Sequence, residues 1–161
     1  MPPLPPLLSL TPGCFAPPLR ADRDLKPANI LFEGSTPKLA DLGVCCAATA
    51  ATQTAFAVGT LAFAAPEQLN YSRYDEAVDV WALGCVFACI AHNTNTPYPT
   101  FDDENLHIVA AVARGKILPS VPLEHCLHMH VRECAAFHPT GRPKAAALAQ
   151  DLEAWGSRRT Y

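Results

Sequence analysis

The sequence predicts a mainly α-helical domain that begins with one small β-hairpin. After residue 75, one helix-length segment is apolar on nearly every face and two later segments place apolar residues on one face, as helices that pack in a core do. Before them, between residues 30 and 40, two short apolar runs flank a turn, which is the pattern of a hairpin. The chain has 161 residues, of which 50% are hydrophobic and 17% are charged, so one domain can bury a core.

The chain starts with a proline-rich leader. Seven of the 16 prolines fall in the first 18 residues, so we expect residues 1–20 to be disordered. The P-x-x-P spacings in this segment leave docking on an SH3-like groove as the alternative. The predicted domain covers residues 21–157, and residues 158–161 form a short tail.

The hairpin and the helices follow in order. Residues 30–40 form the hairpin, and residues 44–63 are rich in alanine and threonine without a clear period, which predicts a loop. Asp75 is predicted to cap a helix over residues 76–91. That helix is apolar on nearly every face, so it belongs in the centre of the domain. Three further helices are predicted over residues 103–114, 123–137 and 144–155.

Composition excludes some classes of partner. The net charge is −3 and no basic stripe occurs, so we expect no nucleic-acid partner. We expect no membrane span, because the uncharged stretch 42–66 holds four threonines and the apolar run 80–91 is too short. Seven cysteines cannot all pair, which favours reduced thiols and a cytoplasmic location, with the nucleus as the alternative.

Two loops that the hairpin brings together carry the candidate chemistry. Asp24, Lys26 and Asn29 place a carboxylate, an ammonium and an amide just before the first strand, and Asp41 follows the second. Carboxylate and amide oxygens suit a hard divalent cation, and the ammonium suits a polyanion. One carboxylate remains to accept a proton from a hydroxyl.

Five motifs in order resemble those of eukaryotic protein kinases. Residues 23–29 (RDLKPAN) resemble the catalytic loop, and residues 41–43 (DLG) resemble the DFG turn. Residues 59–67 resemble the substrate-docking segment and the APE motif, 79–84 the D-x-W-x-x-G motif, and 142–143 the late arginine. The lysine in the catalytic loop implies serine/threonine specificity, and the end of the chain resembles the tyrosine-kinase-like group of such kinases.

The resemblance implies catalytic and cofactor-binding roles for five residues. Asp24 would orient the substrate hydroxyl and accept its proton. Lys26 would bind ATP and neutralise the transferring phosphoryl group, and Thr60 would brace Asp24 and Lys26. Asn29 and Asp41 would hold Mg²⁺ and, through it, ATP.

Further roles implied by the resemblance are structural or regulatory. Asp79 would hold the backbone of the catalytic loop, and Glu67 would form a structural ion pair with Arg142. Arg23 would read a phosphate on the activation segment. Candidate acceptors for that phosphate are Thr49, Thr52 and Thr54.

The resemblance covers residues 22–155 and only the C-lobe of a kinase. No G-x-G sequence occurs, so the expected fold is a kinase C-lobe without the N-lobe. Asp22 stands where the family usually has histidine. The predicted function is that of a protein serine/threonine kinase fragment, acting on protein substrates but weak or inactive alone. The alternatives are a catalytically dead, pseudokinase-like binding module and a non-functional gene fragment. We also expect apolar surface around Trp81 and Phe87 to stay exposed and to favour self-association or a partner.

Overall fold

A two-stranded sheet followed by five α-helices makes up the part of the chain that the structure describes. The structure is a computed structural model, and it describes residues 24–41, 58–99 and 106–157. The elements are β1 Ile30–Glu33, β2 Thr36–Leu39, α1 Pro66–Leu69, α2 Ala77–His92, α3 Leu106–Ala113, α4 His128–Cys134 and α5 Ala145–Ser157, with 3-10 helices at Pro27–Asn29, Val58–Phe63 and Pro139–Gly141.

This order confirms the predicted mainly helical fold with a small hairpin. Within the predicted loop 44–63, the described residues form the 3-10 helix Val58–Phe63, so that part of the loop prediction is wrong. The predictions for residues 1–20 and 158–161 lie outside the described residues. Within the described ranges, no helix is long and apolar enough to cross a bilayer.

The hairpin is antiparallel and has a two-residue turn. Ile30 pairs with Leu39 at its open end, and Glu33 pairs with Thr36 at the turn. Gly34 has φ +63, a left-handed conformation that glycine adopts without steric cost. The N–H of Ala40 donates to the carbonyl of residue 29 at 2.8 Å, which extends the ladder toward the catalytic loop.

Helix α2 lies in the core, as its apolar sequence predicts. Asp75 Oδ1 accepts a hydrogen bond from the N–H of Ala77 at 3.0 Å and so caps the helix start. Trp81 is fully buried in the main apolar cluster. Among the large apolar side chains of this helix, Ile90 alone is exposed, at 63%. The expectation of exposed surface around Trp81 and Phe87 is therefore wrong.

Three of the large apolar side chains that are exposed lie on the hairpin. Leu31, Phe32 and Leu39 are 57%, 70% and 52% exposed. The four residues of β2 are all exposed, as are three of the four residues of β1. Neither face of this two-stranded sheet is therefore packed as the helices are.

Helix α4 is shorter than the predicted segment 123–137. The N–H of Leu127 donates to Nδ1 of His125 at 3.1 Å, and the His128 ring bonds the carbonyl of Val121 at 3.0 Å. These side-chain hydrogen bonds stabilise a turn in place of the first helical turns, because they compete for the same backbone groups.

Helices α2 and α4 approach closely at Gly84. A Cβ at this position would lie 2.9 Å from Cβ of Cys134 and 3.1 Å from the backbone nitrogen of Ala135. We expect Gly84→Val to lower the free energy of unfolding by about 2–3 kcal/mol, since overpacking a core costs about 1–3 kcal/mol. Urea denaturation measures the loss. Gly141→Ala is the control, because its Cβ would meet Ala136 only at 3.4 Å. Equal stability of the two variants would contradict the close approach.

Buried thiols give the fold an alkaline limit. Burial, together with the nearby Glu133 carboxylate, raises the pKa of Cys134 to about 12. Burial and the neighbouring Cys89 raise the pKa of Cys85 well above its ordinary value. Above pH about 8.5 an unfolded thiol loses its proton while these folded thiols keep theirs. The unfolded state then binds fewer protons, so stability falls as pH rises.

We therefore expect the free energy of unfolding to fall above pH 9, by about 1.4 kcal/mol per pH unit for Cys134 alone. Urea denaturation between pH 8 and 10.5 measures the slope. Cys134→Ala should flatten it by that amount, whereas Cys126→Ala should not, because Cys126 is exposed. Parallel pH profiles for wild type and Cys134→Ala would contradict the assignment.

Candidate active site

Asp24 is the centre of a small hydrogen-bonded cluster. Its Oδ2 accepts hydrogen bonds from Lys26 Nζ at 2.7 Å and from Asn29 Nδ2 at 3.0 Å. Asn29 Nδ2 also donates to the carbonyl of Asp24 at 2.8 Å. Asp24 Oδ1 is buried and has no hydrogen-bond partner within the described residues. One carboxylate oxygen is thus held by two donors, while the other is buried without a donor within the described residues.

Local sequence explains why these three side chains meet. Pro27 begins the 3-10 turn Pro27–Asn29, where its fixed φ and missing N–H suit the first position. The N–H of Asn29 donates to the carbonyl of Lys26 at 3.0 Å, which closes the turn. Leu25 is buried and anchors the loop between the two polar residues. The turn therefore folds Lys26 and Asn29 back onto Asp24.

Asp41 is placed beside this loop by the hairpin. It lies two residues beyond Leu39, which pairs with Ile30, the residue after Asn29. Its backbone has φ 59, a left-handed conformation that costs most residues energy and that aspartate tolerates better than most. Its side chain is exposed. The two loops that the sequence predicts to be neighbours are therefore neighbours, and Asp41 holds a strained conformation of the kind that clusters at functional sites.

Glu67 and Arg142 form a buried, two-pronged ion pair. Arg142 donates from one terminal nitrogen to Glu67 Oε1 at 2.6 Å and from the other to Oε2 at 2.9 Å. The Arg142 side chain is fully buried, and that of Glu67 is 9% exposed. This pair joins the start of α1 to the segment before α5, across 75 residues of sequence.

The rest of the Arg142 guanidinium is also satisfied. It donates to the carbonyls of Ala77 at 3.0 Å, Ala136 at 2.9 Å and Phe137 at 3.2 Å. Cζ of Arg142 lies 5.1 Å from the ring centroid of Trp81. All five N–H donors of the guanidinium thus have partners, and the cation contacts an aromatic ring. These carbonyl contacts could not be predicted from sequence patterns, because they depend on where the turn after α4 lies.

For the other predicted site residues, the structure gives at most the element in which each residue lies. Thr60 lies in the 3-10 helix Val58–Phe63, and Asp79 is half-buried in the first turn of α2. Arg23, Thr49, Thr52 and Thr54 lie outside the described residues. Their roles stay predictions.

Comparison with known families decides the identity. A model of the protein kinase domain matches residues 21–151, which is most of the chain. The chain belongs to the protein kinase family. The match confirms the family that the five motifs predict, and protein kinases as a family use ATP and Mg²⁺ to phosphorylate proteins.

Relatives of this kinase chain are serine/threonine kinases. The serine/threonine-protein kinase AfsK of Streptomyces coelicolor is 36% identical over 135 residues, 81% of this chain and 16% of the relative. The probable serine/threonine-protein kinase PkwA of Thermomonospora curvata is 33% identical over 133 residues, 81% of this chain and 17% of the relative. Mitogen-activated protein kinase kinase kinase 3 of Arabidopsis thaliana is 32% identical over 132 residues, 80% of this chain and 21% of the relative. The kinase chain therefore spans about a fifth or less of these relatives.

Proposed function

We propose that this chain carries the catalytic half of a serine/threonine protein kinase domain, which transfers the γ-phosphoryl group of ATP to a protein hydroxyl. The observation that supports this most strongly is the unequal environment of the two Asp24 oxygens. Oδ2 is fixed by Lys26 and Asn29, while Oδ1 is buried and unbonded within the described residues. A carboxylate held in this way presents one oxygen in a defined direction, as a proton acceptor must.

Asp24 performs the proton transfer in this proposal. The substrate hydroxyl binds Asp24 Oδ1, and its O–H bond breaks as its oxygen attacks the γ-phosphorus. The proton passes to Oδ1, and the bond between the γ-phosphorus and the leaving ADP oxygen breaks. Lys26 Nζ lies 2.7 Å from Asp24 Oδ2, so its positive charge is close to the negative charge that develops on the transferring group.

The residues present fit a magnesium–nucleotide complex. Both hydrogen bonds of the Asn29 side chain come from Nδ2, which leaves its amide oxygen as an available ligand. Asp41 supplies an exposed carboxylate and directly follows Ala40, whose N–H donates to the Asn29 carbonyl. Amide and carboxylate oxygens are ligands that Mg²⁺ accepts. When bound, the ion would neutralise phosphate charge, and Asn29 and Asp41 would hold it.

The remaining residues complete the proposal. Thr60 braces Asp24 and Lys26, and Asp79 holds the catalytic-loop backbone. Arg23 reads a phosphate on the activation segment, and the cytoplasm or nucleus is the predicted location. The supporting argument is the position of each residue in a motif of the family. Candidate phosphate acceptors remain Thr49, Thr52 and Thr54.

A second candidate function is that of a non-catalytic binding module. The exposed apolar side chains of the hairpin, Leu31, Phe32 and Leu39, favour it, because apolar surface of this kind often marks an interaction site. The same surface is the candidate for self-association. The intact set of Asp24, Asn29 and Asp41 favours catalysis.

A chimera tests the proposed function. No G-x-G phosphate loop occurs in the 161 residues, so we expect the chain alone to transfer phosphate weakly or not at all. Residues 21–161 are therefore joined behind the part of the AfsK kinase domain that precedes its matching region. We expect the chimera to incorporate labelled phosphate from ATP into serine or threonine of a basic protein. A cooperatively folded chimera without incorporation would overturn the proposal, and labelled tyrosine alone would overturn the specificity.

A further inference from the structure

Three exposed cations near the ends of α1 and α3 have no carboxylate partner among the residues that the structure describes. Lysine and arginine elsewhere in the described residues mostly form ion pairs, with partners Asp24, Glu33, Glu67 and Glu76. Arg73, Arg114 and Lys116 are exposed, and none forms an ion pair within the described ranges. These charges are therefore available to a ligand.

A side-chain hydrogen bond ties together the two chain segments that carry these cations. Asn70 Nδ2 donates to the carbonyl of Ala113 at 2.7 Å, which ties the end of α1 to the end of α3. Arg73 follows Asn70 by three residues, and Arg114 follows Ala113 directly. The Cα atoms of the two arginines therefore lie within roughly 20–25 Å, a span of about seven extended residues.

An exposed aromatic residue lies two positions before Arg73 in the sequence. Tyr71 is 81% exposed and has φ 52, a conformation unusual for a residue of this size. Its N–H donates to the carbonyl of Gln68 at 3.1 Å, so its backbone is held by α1. Tyrosine and arginine are enriched among the residues that contribute most to protein interfaces.

The two carboxylates that follow Arg73 in sequence have contacts of their own within the described residues. Asp75 Oδ1 accepts the N–H of Ala77, and Glu76 lies 3.6 Å from Lys144. The chain as a whole has a net charge of −3, so its long-range field disfavours a large polyanion such as nucleic acid. A short acidic peptide matches three cations better, because it carries fewer negative charges for this long-range field to repel.

We propose that Tyr71, Arg73, Arg114 and Lys116 form a docking surface for an acidic peptide segment of a protein partner. Carboxylates of the peptide bind the three cations, and an apolar side chain packs on Tyr71. The surface adjoins the 3-10 helix Val58–Phe63, which packs against α3 and belongs to the segment that resembles the substrate-docking segment. Binding at this surface does not depend on phosphoryl transfer, so it can succeed where the chimera assay fails.

Fluorescence anisotropy with the full chain tests this surface. The probe is a labelled ten-residue peptide with four glutamates and one leucine, and its partner probe has glutamine at the same four positions. We expect wild type to bind the glutamate peptide at least tenfold more tightly than the glutamine peptide, and to lose affinity between 50 and 200 mM salt because added salt screens the charges. Equal affinity for the two peptides would overturn the proposal without any mutant.

Variants locate the site. The triple variant Arg73→Gln, Arg114→Gln, Lys116→Gln should lose at least tenfold in affinity, and Tyr71→Ala should lose severalfold. Arg132→Gln is the matched control, because Arg132 on α4 is also exposed and without an ion pair within the described ranges. Equal losses in the triple variant and the control would overturn the site. Tighter binding of a ten-nucleotide single strand, lost in the same triple variant, would overturn the choice of a peptide.

Discussion

We expect Arg142→Ala to lower the free energy of unfolding by about 3–5 kcal/mol, with a similar loss for Glu67→Ala. Removing either partner leaves an uncompensated charge in a place where the Arg142 side chain is fully buried. The arginine change also removes the hydrogen bonds that Arg142 donates to the carbonyls of Ala77, Ala136 and Phe137. Urea denaturation of both variants and wild type measures the loss.

The ion pair between Lys144 and Glu76 is the matched control. Its atoms are 3.6 Å apart, and its side chains are 78% and 53% exposed. Exposed pairs contribute about 0–1 kcal/mol, so Lys144→Ala should change stability by no more than that. Melting temperatures of Arg142→Ala and Glu67→Ala within a degree of wild type would contradict the structural role of the buried pair.

Arg142→Lys sharpens the test. A lysine keeps the charge but has three donors on one nitrogen, whereas the guanidinium uses five donors in a fixed plane. We expect Arg142→Lys to be nearly as unstable as Arg142→Ala, because most of the bonds to the carbonyls and to Glu67 are lost. Full rescue by lysine would show that charge alone, and not the geometry of the guanidinium, holds this junction.

The second large effect is on catalysis, in the chimera described above. Asp24→Asn should lower phosphate transfer by about 10²–10⁴-fold, the usual contribution of a positioned acid or base. Asparagine has nearly the same shape as aspartate, so the variant removes the proton acceptor with little change in packing. Asp151→Asn is the control, because its side chain lies on α5, is 58% exposed and contacts His130 at 3.2 Å rather than the catalytic-loop residues. We expect the control to keep wild-type activity.

Two outcomes would contradict the role of Asp24. The first is Asp24→Asn activity within threefold of wild type. The second is an equal loss in the Asp151→Asn control, which would indicate unfolding. Thermal melts of all three chimeras distinguish a lost proton acceptor from a lost fold.

Sequence patterns predicted the elements that have a clear arrangement of apolar residues. Helix α2 was found because a long apolar segment follows a capping residue, and the hairpin because two apolar runs flank a turn. Helix α1 has only four residues, too few to show a period. The start of α4 was missed because His125 and His128 form hydrogen bonds that apolar spacing does not reveal.

In the candidate site, too, some contacts could be predicted from the sequence and others could not. Motif resemblance paired Glu67 with Arg142 across 75 residues, which no local pattern could do. It did not predict the contact with Trp81 or the three carbonyls, since these arise from tertiary packing. The cationic surface was also missed, because one hydrogen bond from Asn70 brings its two halves together.

The hairpin between Asn29 and Asp41 links ligand affinity to local unfolding. A two-stranded sheet exposed on both faces is marginally stable, so it opens at a lower free energy than the whole domain. In the open form the proposed metal ligands are no longer neighbours, and the apparent affinity for the ion falls with the fraction of chains that are closed. A partner that covers Leu31 and Phe32 would favour the closed form and would tighten metal binding without contacting either ligand.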